Sequence, residues 1–431
     1  MSQVSVTHLR IRPLLALAFF AALALLAQLD YVNAQEAAPE LLSSEVISQF
    51  PKGISFRAEI ANSGEIEVVT VRFRIGRQLP TTYGYLELDE GATVSGEYFH
   101  RTDTAGRYVP PGTPIIYHFE LEDTSGNRVE TEPQVFIYTD PRFDWKELES
   151  ERVTLSYYGG EQDKAQELLA TSMQTLNKMG PLIGADIDKP FRITLYNNES
   201  DMLDALAPGS ATVRGELVTS GQAYSEEGVI LILGSGSRVN GTISHEVTHL
   251  LVHDAMDNPF HRIPSWLNEG LAEYGNVEPG TAYDEALQLA IEEDRLMPIT
   301  HLNSLPGTPD DIVLFYGEAR SVTAFLVDRY GADELKNLLS IFKGGKSIDD
   351  AMEELYGFDR EGLDSHWGAD IGAQVPPIST SPPPPPSPTP QTRSGSCNAP
   401  VPGSGTKSVD VTYLAMFVGL ASLVFLGKKG P

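Results

Sequence analysis

The chain has 431 residues, 41% hydrophobic and 21% charged, with 59 acidic against 31 basic residues and a net charge of −28. At ~100–200 residues per domain, that length predicts about two to three domains. A single cysteine excludes a disulfide framework, a thiolate zinc knuckle and an iron–sulfur cluster, and the acidic balance excludes nucleic acid as a partner.

At the N-terminus, Arg10 and Arg12 precede an apolar run from Leu14 to Leu29, and Val32-Asn33-Ala34 follows. A charged region, an apolar core and a small-residue cleavage site are the three parts of a secretory signal peptide, so residues 1–34 are expected to be an export signal. From about residue 45 to 140 the pattern has period two. Ile54, Phe56, Ala58 and Ile60 alternate with polar residues, as do Val69, Val71, Phe73 and Ile75, and then Ile115, Tyr117, Phe119 and Leu121. Successive strand side chains point to opposite faces, so each run buries one face and wets the other. With turn signals at Asn62-Ser63-Gly64, Pro110-Pro111-Gly112 and Ser125-Gly126-Asn127, these short strands predict an all-β, immunoglobulin-like sandwich. His118 falls on the polar side of its strand, facing solvent, and no site is evident in this part.

Beyond Asp140-Pro141 the period changes. A strand near Val153–Tyr158, a helix over Gln162–Met179, strands at Phe191–Tyr196 and Val229–Leu233, and a mostly helical stretch from Val239 to Ala373 predict an α+β domain over residues 150–373. Within it lies His245-Glu246-Val247-Thr248-His249. On a helix, residues i and i+4 share a face, so both imidazoles can reach one ion. Imidazole nitrogen suits zinc, and Glu246 lies beside that ion as a general base. Glycine at 252 and histidine at 255 would mark a metzincin; Val252 and Ala255 stand there instead. Downstream, Pro264 and Ser265 open a second helix, Trp266-Leu267-Asn268-Glu269-Gly270-Leu271-Ala272-Glu273-Tyr274. Glu269 and Glu273 are four apart and face one way, and a short loop would turn that face toward the histidine pair. Three protein ligands and one open position are what a catalytic zinc site needs.

The stretch from Ser244 to Tyr274 resembles the peptidase MA-like family of zincin metallopeptidases, of the gluzincin type. Supporting similarity continues through Tyr316-Gly317-Glu318-Ala319, Phe325 to Gly331, and Ala351 through Tyr356-Gly357 to Trp367, so the resemblance covers roughly 153–373. It implies a zincin-like fold, with His245, His249 and Glu269 as Zn2+ ligands and Glu246 as catalytic base. It further implies that Glu273 orients a ligand histidine and that Tyr316 is the candidate donor to the developing oxyanion; a core tyrosine is the other reading of Tyr316. Val229–Leu233 would border the cleft and receive an extended substrate as an added strand, or else lie inside the sheet. His253 is assigned to the surroundings of the site or to solvent, since a fourth protein ligand would close it, and His261, His301 and His366 to structural roles. Trp266 is expected to pack the base of its helix. Asn198 and Asn240 begin glycosylation sequons, which matter only in a eukaryotic secretory route.

Residues 374–407 are rich in Pro, Ser and Thr, with Pro382 to Pro386 unbroken, and form an extended polyproline linker that carries Cys397. An apolar run over 409–427 precedes Lys428-Lys429. It predicts one transmembrane helix with a short cytoplasmic tail, 428–431, and everything upstream outside the cytoplasm. The two ends carry six basic and two acidic residues, which leaves 25 basic and 57 acidic in the body 35–373, a net charge of −32. Taken together, these features predict an exported zinc metallopeptidase, held at the membrane by its C-terminal helix, that hydrolyses peptides or proteins. The competing reading is an extracellular binding or scaffold protein whose zinc domain is structural or inactive and whose sandwich recognises a protein or surface partner.

Overall fold

The computed structural model describes residues 38–61, 65–78, 80–89, 91, 93–186, 188–207 and 220–373. The export signal, the proline-rich linker with Cys397 and the C-terminal apolar run lie outside these residues. No helix among the described residues is long and apolar enough to cross a membrane.

In chain order the first strands are β1 (Glu40–Gln49), β2 (Gly53–Ala61), β3 (Ile66–Ile75), β4 (Thr82–Tyr85), β5 (Glu87–Leu88), β6 (Thr93–Arg101), β7 (Thr113–Asp123), β8 (Arg128–Glu130) and β9 (Gln134–Tyr138). They form two antiparallel sheets, β1-β2-β6-β5 and β4-β3-β7-β8, with β9 also paired to β7. The alternating residues of β2, β3 and β7 turn inward: Phe56, Val71 and Phe119 are at most 1% exposed. His118 points the other way, its Nε2 3.2 Å from Glu130 on the polar face. An N-terminal β-sandwich followed by a mixed domain is therefore observed as the periodicity implies.

The second part begins with β10 (Lys146–Glu149), β11 (Val153–Tyr157), helix α1 (Gln162–Ile183), β12 (Phe191–Tyr196) and α2 (Glu199–Ala205). It continues with β13 (Gly221–Tyr224), β14 (Val229–Leu233), α3 (Val239–Met256), α4 (Ser265–Gly275), α5 (Ala282–Glu292), α6 (Pro309–Tyr330), α7 (Ala332–Lys343), α8 (Ile348–Tyr356) and α9 (Arg360–Asp370). The strand order is β10-β11-β12-β14-β13; β11, β12 and β14 run parallel, and the two outer strands run antiparallel to their neighbours. Of the two places open to Val229–Leu233, the interior one is observed. Among the described residues the strand on the border beside it is Gly221–Tyr224, too short and too polar to stand out in the sequence.

Both faces of β14 are covered, which explains its unbroken apolar run. Ile230 and Ile232 face the helices together with Leu155, Ile193 and Leu195. Val229, Leu231 and Leu233 face away, and with Tyr196 and Met202 they join the core of the sandwich. The β part thus closes the outer face of the second sheet. Thr194 Oγ1 donates to Pro111 O at 3.0 Å. Gly112 beside it has φ +101°, and a Cβ there would lie 2.6 Å from Thr194 Oγ1, so glycine is needed on both counts. Arg77 reaches across to Asp254 at 3.2 Å and to the carbonyl of Pro190 at 2.8 Å. Tyr108 OH donates to Ala205 O.

Candidate metal centre

Helix α3 is buried almost all round, including every residue from Gly241 to Val252. Its apolar residues do not form one stripe because it runs through the middle of the domain, between the sheet and α1. Its first turn has no side-chain cap of its own. Glu278, from the segment after α4, supplies the acceptor instead, taking the Gly241 N–H at 3.1 Å. A carboxylate suits the positive end of a helix.

Helix α4 packs against α3 on one side and α6 on the other. Gly270 makes the second contact: a Cβ on it would lie 2.4 Å from Ala319 O of α6. These two packings bring α3, α4 and α6 to one point. His245 Nε2 and His249 Nε2 are 2.9 Å apart, and Glu269 Oε2 lies 3.4 Å from each. His245 Nδ1 meets Glu273 Oε1 at 2.8 Å, and His249 Nδ1 meets Asn268 Oδ1 at 3.0 Å. His249 is thus held at Nδ1 by a hydrogen-bond acceptor, which turns its Nε2 toward the other donors, while at His245 the Glu273 carboxylate lies beside Nδ1 as a charge contact outside hydrogen-bond geometry.

The residues fit a metal ion. Two neutral nitrogens and one carboxylate oxygen are a zinc donor set, and donors ~2.0–2.2 Å from a shared tetrahedral ion stand ~3.3–3.5 Å from one another. The three atoms here form a triangle of 2.9, 3.4 and 3.4 Å, with all three residues buried. Glu269 Oε2 and both oxygens of Glu246 are buried without a hydrogen-bond partner among the described residues, a cost that a cation removes. Burial works against the charged form of Glu269, yet His249 and His245 hold its carboxyl down at about 2. Burial likewise opposes charge on His245, but Glu273 and Glu269 outweigh it and favour the protonated ring, so a metal ion at Nε2 would take the place of a proton.

The remaining residues surround this triangle. Tyr316 is 1% exposed, its ring 6.4 Å from that of His245, and its hydroxyl has no partner among the described residues; burial pushes the phenol well above its usual range. Tyr283 stacks on it at 5.3 Å. On the sheet side, Gly221 of β13 leaves room for Glu246: a Cβ would stand 2.9 Å from Glu246 Cγ. Trp266 is fully buried at the start of α4. His253 is half-buried beside Asp257 at 4.0 Å, away from the donors, and His261 and His366 pack with tilted rings against Phe342 and Phe358. Asn198 caps α2, and Asn240 donates to Glu167 at 2.7 Å. Asn268 and Gly221 escaped the sequence reading. Their roles depend on how α4 crosses α3 and on which strand lies at the edge, neither of which leaves a periodic signal.

Fold and donor set together define a class: a mixed sheet-and-helix domain whose His/His/Glu triad can hold a metal ion. Residues 171–373 match the family model described as the peptidase MA superfamily. This stretch is thus similar to the peptidase MA superfamily, in agreement with the resemblance of the motif segment. No curated protein matches the chain. Among solved structures, a crystal structure of a Br derivative of BhCBM56 is similar over 23% of this chain and 99% of that one, at 10% identity and a TM-score of 0.17, a likeness that carries no argument.

Proposed function

We propose that this protein is a zinc metallopeptidase, exported and tethered to the membrane by its C-terminal apolar run, with its catalytic domain outside the cytoplasm. The observation that carries the reading is the meeting of His245, His249 and Glu269 donor atoms within 3.4 Å of one another, with Glu246 beside them. Those three residues would hold the ion, and when bound it supplies Lewis acidity toward a peptide carbonyl and toward water.

The chain's own groups do the rest. Glu246 accepts the proton of the attacking water and returns it to the leaving amine, so that one carboxylate serves as base and then as acid. Asn268 holds the His249 imidazole in its ligating ring plane, and Glu273 sets its charge beside that of His245. Tyr316, a buried phenol without another partner, donates to the carbonyl oxygen as negative charge develops on it. The substrate lies extended along β13, which packs against α3, and adds to the sheet by backbone hydrogen bonds.

Metal analysis of the purified full-length chain should return one zinc per molecule, lost in His245→Ala. Digestion of a diverse peptide mixture, read by mass spectrometry, should give cuts that a chelator abolishes. Glu246→Gln should retain zinc and lose activity by ~10²–10⁴-fold, the usual worth of a general base. Equal cleavage by wild type and Glu246→Gln would overturn the assignment.

A further inference from the structure

Beside the centre lies a second feature that the reaction above does not use. A cavity of about 60 Å³ opens between Ser220, which precedes β13, Arg238 and Thr242 at the start of α3, and Asn276, Gly280 and Tyr283 beyond α4. Thr242 stands four residues before Glu246, ~6 Å along the helix at 1.5 Å per residue. Both touch Gly221: a Cβ on Gly221 would lie 2.8 Å from Thr242 Cγ2 and 3.0 Å from Glu246 Oε1. The cavity therefore adjoins the catalytic glutamate along the line of β13. An extended peptide advances ~3.3 Å per residue, so the cavity stands one to two residues from the bond beside Glu246.

Its charge comes from Arg238. The body is strongly acidic, and Arg72, Arg77, Arg142 and Arg360 each face a carboxylate. Arg238 forms no ion pair with any described residue, although it lines the cavity and its charge acts on Tyr283. Glu278 also lines the cavity, but it is engaged with the Gly241 N–H at 3.1 Å. The guanidinium points its Nη1 at Gly280: a Cβ there would come 1.5 Å from Arg238 Nη1, so a side chain at 280 would push the guanidinium from this seat.

We propose that this cavity is a substrate subsite in which Arg238 receives a carboxylate, either an acidic side chain or a free C-terminus, within two residues of the cleaved bond. A planar guanidinium takes a carboxylate by paired hydrogen bonds, and the neighbouring Ser220 hydroxyl can complete the recognition, while the Asn276 amide is engaged with Glu273 at 3.1 Å and with the Glu278 N–H at 2.9 Å. The proposal deepens the peptidase reading and rests on it.

The test uses the full-length chain and a library of octapeptides made with free and with amidated C-termini. Cleavage by wild type should favour Asp or Glu, or a free C-terminus, within two positions on one side of the cut. Arg238→Gln should lower kcat/KM for those peptides ~10–100-fold and leave neutral ones within twofold; Arg238→Glu should favour Lys or Arg at the same position. Gly280→Ala, which unseats the guanidinium without removing it, should follow Arg238→Gln. Loss of the preference on amidation assigns the subsite to the C-terminus, and its persistence assigns it to a side chain. A wild type indifferent to carboxylates, or a variant that loses all peptides equally, overturns the subsite while the peptidase stands. Affinity selection of the same library on immobilised Glu246→Gln reads the subsite without turnover. Carboxylate peptides should be retained there and released by Arg238→Gln, and equal retention of both classes overturns the proposal even where no cleavage occurs.

Discussion

At the scale of single residues, the site is a set of constraints placed on two histidines and one glutamate. Asn268 holds His249 Nδ1 by a hydrogen bond at 3.0 Å, and the Glu273 carboxylate sets a charge 2.8 Å from His245 Nδ1. Removing such a partner frees the ring to rotate and to change tautomer, which typically costs ~10–100-fold in metal affinity. Asn268→Ala should therefore weaken zinc binding by about that factor in competition with a chelating dye, with an unchanged circular dichroism spectrum. Gly221 acts differently, because it touches Glu246 and none of the donors. Gly221→Ala should leave zinc content intact and lower kcat by ~10²-fold, since small misplacements of a reacting group are expensive. The His245-to-His249 spacing made half of this constellation legible in the sequence, and the Glu269-to-Glu273 spacing added the rest of its acids. Asn268 was not legible, because contact between residues 19 apart follows from a helix crossing and not from a period.

At the scale of elements, the segment joining α5 to α6 is held by two buried acids. Glu318 of α6 accepts the Met297 N–H at 2.9 Å, and Asp364 of α9 accepts the Ile299 N–H at 3.0 Å. Burial is the main cause that raises both, Glu318 from its ordinary 4.5 to about 8 and Asp364 from 3.8 to about 6. Between pH 4.5 and 8 the folded chain keeps the Glu318 proton while the unfolded chain releases it. The stability this group contributes is thus complete below about 4.5 and is lost as the pH rises through about 8. At ~1.4 kcal/mol per unit the loss amounts to a few kcal/mol. Thermal melts from pH 5 to 9 should show Tm falling with pH in the wild type and falling less steeply in Glu318→Gln; parallel curves would count against this account. Glu318 stood in the sequence only as part of a family-like segment. Its burial is decided by α6 packing, which no charge pattern announces.

At the scale of the whole molecule, the sandwich is a wall of the domain that carries the His/His/Glu triad. Val229, Leu231 and Leu233 share one apolar core with Phe56, Phe73 and Phe119, and all six are at most 6% exposed. A chain lacking residues 38–139 would present that face of β14 to water, and such a patch drives aggregation. It should be insoluble or show no cooperative melt, whereas two independent domains would leave it folded. In the full chain, Leu231→Ala should lower stability by about 2–5 kcal/mol, as large-to-small changes in a packed core do, and should also weaken the β part that touches it. A separate sandwich unfolding at its original temperature in that variant would refute a shared core.

What the sequence determined by itself were the features with a local period or a fixed spacing. The alternation of Ile54 to Ile60 and Ile115 to Leu121 set the strands and their inner faces, because side chains alternate on any strand wherever it is placed. The step from His245 to His249 set two donors on one side of a helix for the same kind of reason. Tertiary structure alone decided that Val229–Leu233 lies inside the sheet, that Gly221 borders the centre, that Asn268 reaches His249, and that the sandwich and the second sheet share a core. These depend on strand order, helix crossings and the meeting of distant surfaces. A run such as Val-Ile-Leu-Ile-Leu states only that both faces are covered, not by what.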